Sequence, residues 1–312
     1  MLHSGAVDKP VVIVNPRSGG GLSEKRWART LGPITDGLGM PFDTRFTEYR
    51  GHALEIAREE SLAGRSLVIA LGGDGTISET ANGILQAGKG ATLGILPRGT
   101  GGDFRRSLDL PSDFYKAAEH LRQAKTRSID VGRVHFTGED GRPSSRYFVN
   151  IASFGFSSEV ARLANQSSKR FGGKVAFLGA AMRGMATYEN TELTLTVDGE
   201  EEHRLTVLLG AVGNGRFFGG GMKICPEATL DDGYLDLVTV GDLGRVETLA
   251  KFHRIYSGTH LSMKEVGARR CRAIHANPVD LQAKIPIEID GETPGHLPAR
   301  FEVLENALRL RV

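Results

Sequence analysis

Cysteine is almost absent from this chain. Only Cys225 and Cys271 occur among 312 residues, so no disulfide framework can hold the fold, and no Cys and His cluster has the spacing of a zinc site. A reducing compartment is the default that follows. Long hydrophobic runs are missing as well. The longest, such as Val207 to Val212, fall far short of a bilayer span, and Met1 to Pro10 lacks the apolar core of a signal peptide. A cytoplasmic location is expected, with a peripheral place at the inner membrane face left open. Charge of one sign is also lacking: Lys+Arg 39 against Asp+Glu 37 leaves a formal net charge of +2, which gives no electrostatic support to a nucleic-acid partner. Glycine is plentiful (41 residues), yet it gathers in a few loops and shows no repeat period, which excludes a solenoid or a fibre.

What is present is a large apolar content, 40% over 312 residues, enough for two domains. Strands and helices alternate over the first 130 or so residues. Val11 to Val14 reads as a buried strand, followed by a helix carrying Trp27, Leu31, Ile34 and Leu38, which Gly32-Pro33 is expected to break. A strand around Phe42 to Thr47, a helix from Gly51 to Ala63, a strand from Leu67 to Leu71, a helix from Thr76 to Gln86 and a strand from Thr92 to Leu96 continue the series. This pattern predicts a parallel sheet covered on both faces, with ligands beyond the carboxyl ends of its strands.

Three of those carboxyl ends carry glycine-rich loops: Asn15 to Gly21, Gly72 to Thr76, and Pro97 to Asp103. Each lets the main chain approach a phosphate, and Gly72-Gly73-Asp74-Gly75-Thr76 also opens a helix, whose first-turn N–H groups and dipole favour an anion. Neither the Walker A pattern nor the dinucleotide G-x-G-x-x-G is present. A carboxylate in such a loop, Asp74, would repel a bare phosphate, so it points to a metal nucleotide. After Asp130-Val131-Gly132 the pattern changes to short alternating segments, Arg133 to Phe136, Arg146 to Ile151, Glu192 to Val197, Leu205 to Val212, Leu235 to Val240, Arg272 to His275 and Ile285 to Asp290. These predict an antiparallel β domain with one helical insertion, Ser157 to Tyr188, and a last strand, Ala307 to Val312, whose partner sheet is left open.

Asn15-Pro16-Arg17-Ser18-Gly19, Gly72-Gly73-Asp74-Gly75-Thr76 with Glu79 and Asn82-Gly83, Pro97-Arg98-Gly99-Thr100 with Asp103-Phe104, and Asp232-Gly233-Tyr234-Leu235-Asp236 occur in that order. Together they resemble the diacylglycerol kinase catalytic family, including the soluble bacterial lipid kinases and sphingosine kinases, from about Val11 to Glu292. The resemblance implies a Rossmann-like α/β domain (1–132 and 297–312) and a β-sandwich (133–296), with the active site in the cleft between them. It implies an ATP site at Asn15, Pro16, Arg17, Ser18, Gly19, Thr47, Gly72, Gly73, Asp74, Gly75, Thr76, Ile77, Ser78 and Thr100. It also implies a structural Mg2+ held by Asp232 and the main chain of Thr229 and Tyr234, with Asp74 and Asp130 on the nucleotide side and Glu292 as general base. Such roles suit phosphoryl transfer, which needs positioning, charge neutralisation and a carboxylate near the attacking hydroxyl.

Simpler readings stand beside these. Asp290-Gly291 is also a hairpin turn, Asp231-Asp232-Gly233 is also a good turn, and Asp130 also fits a strand end. Gly102 occupies the place where the family usually has Asn, which removes an amide side chain from the third loop. Between Val160 and Tyr188 the basic Arg162, Lys169, Arg170, Lys174 and Arg183 alternate with apolar residues and no acidic one, as suits anionic lipid headgroups or merely a solvated helix face. Arg269-Arg270-Cys271-Arg272 is a second basic cluster, with a solvated strand edge as its plain alternative. The expected activity is ATP- and Mg2+-dependent transfer to a lipid hydroxyl at a membrane surface. The alternatives are a nucleotide-binding regulator with weak or lost turnover and a kinase for a soluble acceptor, as in NAD kinases. The pattern leaves room for a homodimer.

Overall fold

A computed structural model describes residues 9–22, 24–99, 101–166, 179, 183–184 and 188–312, and the chain falls into two compact units, Met1–Ile129 with Ala307–Val312 and Asp130–Asn306. In the first unit, β1 (Val11–Val14), β3 (Leu67–Gly72) and β4 (Thr92–Pro97) are buried at every position, which only a sheet covered on both faces allows. The partly exposed β2 (Asp43–Phe46) forms the edge. The order is β2-β1-β3-β4, all parallel.

Helices α1 (Glu24–Leu38) and α5 (Phe114–Gln123) bury Ile34, Leu38, Ala117 and Leu121 in one cluster with Val12, Ile69 and Leu96. Helices α2 (His52–Leu62) and α3 (Asp74–Ala87) bury Ile56 and Ala57, and Ile77, Ala81 and Ile84. They touch closely at Gly83, where a Cβ would collide with the Leu54 carbonyl. The expected break at Gly32-Pro33 does not occur: α1 runs through it. Both residues lie on the exposed side, where the carbonyl that Pro33 leaves unpaired can be hydrated. Two helices were not anticipated, α4 (Asp103–Ser107) and α5. The second is capped by Asp113, whose carboxylate accepts from Tyr115 and Lys116 N–H at 3.0 Å each.

The second unit is antiparallel. Its strands are β5 (Thr126–Gly138), which enters from the first unit, β6 (Pro143–Phe148), β7 (Ile151–Gly155), β8 (Thr191–Val197), β9 (His203–Val207), β10 (Leu209–Gly213), β11 (Leu235–Val240), β12 (Val266–Cys271), β13 (Ala273–Pro278), β14 (Pro286–Ile289) and β15 (Glu292–Arg311). One layer runs β12-β11-β10-β7-β14 and the other β9-β8-β13, each ending on β15. Phe154, Val212, Leu237 and Ile287 of the first layer meet Leu195, Ile274 and Phe301 of the second in one apolar core, which makes a β-sandwich. Helices α6 (Phe156–Gln166), α7 (Arg245–Lys251) and α8 (His253–Ser257) accompany it, the last two unanticipated.

The segment 205–212, expected as one strand, divides at Leu208 into β9 and β10. The short strand expected at Arg272 becomes two, because Asp198 takes the Arg272 and Ala273 N–H groups at 2.7 and 2.8 Å and turns the chain there. The last strand starts at Glu292, not at Ala307, and its end answers the question of its partner. Arg309 and Leu310 pair in parallel with Thr92 and Leu93 of β4, adding a fifth strand to the first sheet.

Candidate active site

The three glycine-rich loops of the first unit are tied to one another by three polar links. Asn15 follows β1, and its Nδ2 donates to Thr76 Oγ1 on α3 at 3.0 Å, joining the first loop to the second. Its Oδ1 accepts from Arg17 N–H at 2.9 Å, and Ser18 Oγ donates to its carbonyl at 2.8 Å, so the loop also folds on itself. The second link is Asp74. Its carboxylate accepts from Gly102 N–H at 2.7 Å and Phe104 N–H at 3.3 Å, which joins the second loop to the third. Arg98 makes the third, since its guanidinium donates to the Ser18 and Gly21 carbonyls at 2.8 Å each and closes the ring back to the first loop. Burial holds the Arg98 pKa below its ordinary value, with Arg26 adding to the effect.

Glycine is required where the second and third loops meet. A Cβ on Gly99 would stand 2.7 Å from Gly73 Cα, one on Gly101 would stand 2.6 Å from the Asp74 carboxylate, and one on Gly72 would strike Thr76. Gly73 caps α3 in an extended conformation with no side-chain cap. The first intrahelical bond there runs from Ile77 N–H to the Gly73 carbonyl, so the N–H groups of Asp74, Gly75 and Thr76 have no helical partner. They belong to the positive end of a 14-residue helix. The second and third loops line a concavity of about 180 Å³, with Gly72, Gly73, Asp74, Gly99, Gly101 and Gly102 in its wall and Arg105 and Arg106 beside them, while no residue of the first loop lines it. Glycine main chain, an open helix terminus and two guanidinium groups meet at this concavity.

Of the nucleotide-binding residues expected from sequence, Asn15, Pro16, Arg17, Ser18, Gly19, Gly72, Gly73, Asp74, Gly75, Thr76, Ile77 and Ser78 lie in or directly under these loops. Thr47 sits at the carboxyl end of β2, donating its N–H to the Val14 carbonyl at 2.9 Å, while Thr100 lies outside the described residues. The electrostatic demand for a metal beside Asp74 has another answer, because two main-chain N–H groups already stabilise its charge. Glu79 is structural: its carboxylate accepts from Gly51 and Ala53 N–H at 2.9 and 3.2 Å, at the start of α2. Sequence reasoning missed Arg98, Arg105 and Arg106 as site residues. The only signal for them was their place inside or just after a glycine-rich loop.

In the second unit, Asp130 is 1% exposed. Its oxygens accept from Gly233 N–H and Asn306 N–H at 2.7 Å each, and its own N–H donates to the Leu230 carbonyl at 2.6 Å. It therefore fixes the Asp232 turn to the start of the unit. Asp232 accepts from Tyr234 N–H at 3.1 Å and forms an ion pair with Arg270. The Arg270 guanidinium also lies over the Tyr234 ring, 4.5 Å from its centroid, and Arg272 lies over it at 5.1 Å. Thr229 is exposed.

A structural Mg2+ held by Asp232 and the carbonyls of Thr229 and Tyr234 does not fit this arrangement. Its single carboxylate is occupied by a cation, and among the described residues no three His, Cys, Asp or Glu side chains gather to hold a metal.

Glu292 opens β15, paired with Ile289 across a two-residue turn whose Asp290 and Gly291 both have positive φ (48° and 90°). The Asp290 carboxylate accepts from Val149, Asn150 and Ile151 N–H at 3.0, 3.1 and 3.1 Å. Buried Glu288 takes the Ser153 hydroxyl at 2.7 Å and also the Gly291 N–H. The hairpin reading of Asp290-Gly291 is correct, and the same turn holds Glu292 half-buried at a fixed point.

The basic stretches resolve differently. Arg162 forms a two-point pair with Glu159 (2.8 and 2.6 Å), whereas Lys169, Arg170 and Lys174 lie outside the described residues. Arg269, Arg270 and Arg272 pair with Glu200, Asp232 and Glu305, as a solvated strand edge would.

Residues 9–134 match the diacylglycerol kinase catalytic domain, and residues 150–312 match the YegS C-terminal NAD kinase beta sandwich-like domain. A diacylglycerol kinase of Bacillus subtilis (strain 168) is 30% identical over 296 residues, 93% of this chain and 91% of that one. The chain belongs to the diacylglycerol kinase catalytic family. A second member, the diacylglycerol kinase of Staphylococcus carnosus (strain TM300), is 29% identical over 295 residues, 93% of this chain and 90% of that protein. The crystal structure of a diacylglycerol kinase from Bacillus anthracis str. Sterne has the same fold, with a TM-score of 0.70 at 21% identity over 97% of this chain and 96% of that one. Another structure from that organism reaches a TM-score of 0.77 at 24% identity over 97% of each chain. As a member of this family the protein is a kinase with an alcohol group as acceptor.

Proposed function

We propose that this kinase transfers the γ-phosphoryl group of ATP, taken as its Mg2+ complex, to the hydroxyl of a lipid. The observation that carries the donor half is the concavity walled by Gly72, Gly73, Gly99, Gly101 and Gly102 and flanked by Arg105 and Arg106. Positioning and charge neutralisation are most of what phosphoryl transfer asks of a protein. Main-chain N–H groups, the α3 terminus and the two arginines supply both. The structural cation expected at Asp232 has no part in this scheme. Glu292 takes the proton of the acceptor hydroxyl, a role that its fixed hairpin and partial exposure support.

The lipid half rests on a small apolar pocket of about 40 Å³ in the second unit, lined by Phe156, Leu209, Val240, Phe252, Ile255 and Met263 among others. Its lining is apolar almost throughout, as a hydrocarbon chain requires and a polar acceptor does not. No helix among the described residues is long and apolar enough to cross a membrane, so the lipid is met from a membrane surface in this reading. The match of residues 150–312 to a sandwich described as NAD kinase-like favours one second reading, a soluble dinucleotide acceptor.

Purified protein incubated with labelled ATP and a panel of diacylglycerol, monoacylglycerol, sphingoid base and NAD distinguishes them. Label in an organic-soluble product is expected. Label in NAD alone moves the assignment to the second reading, and no lipid-dependent transfer under any condition overturns the first.

A further inference from the structure

Arg105 is the least satisfied cation in the wall of the phosphate-sized concavity. It stands on α4 and lines the space with the second and third loops. Among the described residues one acceptor lies within hydrogen-bond reach, the Leu110 carbonyl at 2.7 Å from one terminal nitrogen. That bond anchors the guanidinium while leaving Nε and the other terminal nitrogen to point elsewhere. The neighbouring carboxylates are engaged: Asp74 accepts from Gly102 and Phe104 N–H, and Asp103 pairs with Arg106 at 2.7 Å. Arg106 also donates to the Gly101 carbonyl at 2.5 Å, so it braces the loop. Burial lowers the pKa of Arg105 from its ordinary value, Arg106 adds to this, and Asp74 and Asp103 oppose it only through space. A half-buried guanidinium with donors left over, beside an open anion-sized space, is short of an anionic partner.

Gly102 explains why the group can lie there. Its φ of +67° is left-handed, a conformation that glycine and, less readily, asparagine adopt. A Cβ at this position would stand 3.1 Å from Arg105 Nε and 3.6 Å from a terminal nitrogen. Any side chain there would therefore press on the guanidinium, which would have to give way by a few tenths of an ångström. The missing amide of the third loop and the presence of Arg105 are two sides of one arrangement.

We propose that Arg105 contacts the nucleotide phosphates, and that glycine at position 102 is what makes room for it to do so. This rests on the reading of the concavity as the nucleotide site. Arginine matches a phosphate with two parallel N–H donors, which one asparagine amide cannot do. Gly102 thereby exchanges one kind of phosphate donor for another and does not mark a weakened site.

The test is equilibrium binding of a non-hydrolysable ATP analogue, AMP and adenosine to four proteins: wild type, Arg105→Ala, Gly102→Asn and the double variant. Arg105→Ala is expected to weaken the ATP analogue by at least about tenfold, the scale of one charge-assisted hydrogen bond, with adenosine unchanged. Gly102→Asn is expected to weaken the analogue when Arg105 is present and to add nothing when residue 105 is alanine. Arg105→Lys keeps a cation able to reach the Leu110 carbonyl and serves if the alanine variant fails to fold; an intermediate loss is expected of it. Analogue affinity within twofold of wild type in Arg105→Ala, or in Arg105→Lys where that variant has to serve, overturns the proposal. An equal loss for analogue and adenosine, or additive effects in the double variant, does the same. Wild-type protein that binds no nucleotide at all overturns the donor-site reading together with it, a result distinct from the others.

Discussion

The second loop of the first unit and the Asp232 turn of the second are built from the same local chemistry and end in opposite states. Each places an aspartate beside glycine in a tight turn, and in each the carboxylate accepts main-chain N–H. At Asp74 the donors belong to another glycine-rich loop, so meeting its needs holds two loops side by side and keeps a concavity of about 180 Å³ between them. At Asp232 the second oxygen takes the Arg270 guanidinium, which is also stacked on Tyr234, and the turn is closed. An acidic turn is a site or a plug according to what its neighbours can send to it. Main-chain donors leave the space open, and a long cation fills it.

The sharpest way to break this comparison is at Glu292, because it separates chemistry in the second unit from scaffolding. If the second unit acts through its hairpin and not through the Asp232 turn, Glu292→Gln should lower kcat between about 100-fold and about 10,000-fold, the range for loss of a general base. Asp232→Asn should leave most activity in place. Steady-state rates with the best acceptor of the panel decide it. A Glu292→Gln enzyme within a few fold of wild type removes the base, and a comparable collapse in Asp232→Asn reverses the contrast.

Next in size is Asp74→Ala. The change leaves Gly102 and Phe104 N–H without their acceptor, at an expected cost of about 1–3 kcal/mol in urea unfolding. The ATP analogue should bind more weakly too, since the wall of the concavity loses the tie between its two halves. Stability within about 0.5 kcal/mol of wild type, the usual scatter of a surface change, would mean that the link contributes little.

These two residues also show what could be read in advance. The run from Leu67 to Leu71 ending in glycine predicts a strand, a loop and a helix from local pattern alone, and the structure has them within two or three residues. The partner of Asp74 is a main-chain N–H 28 positions away. No side-chain pattern announces that bond, so from the sequence alone the carboxylate points only to a metal nucleotide and not to the loop it also holds. Arg98 and Arg105 failed for the opposite reason: a long cation near a glycine loop is usually solvated, and only the fold reveals which carbonyl receives it. The α1 break was lost because exposure tolerates Pro33, and the last strand because its partner Thr92 lies 217 positions from Arg309 (309 − 92). Glu292 was reached through resemblance, while Asp290-Gly291 below it was legible as a turn in its own right.

The smallest expected effect belongs to metal removal. Asp232 and Arg270 are partly exposed, 24% and 52%, so their ion pair alone adds little stability. Its consequence is occupancy. A divalent cation would have to expel a guanidinium that is both paired and stacked, and among the described residues no three carboxylate, imidazole or thiol side chains gather there to replace it. The unfolding midpoint of the nucleotide-free protein should therefore agree in Mg2+ and in EDTA within about 2 °C, less than the shift that 1 kcal/mol produces in a small domain. Arg270→Ala should change the midpoint little in EDTA and let Mg2+ raise it, because the vacated carboxylate and the carbonyls of Thr229 and Tyr234 become available. A wild-type midpoint that rises with Mg2+ and falls with EDTA would show that the cation displaces Arg270 after all, and the contrast between the open and the closed turn would fail at its closed end.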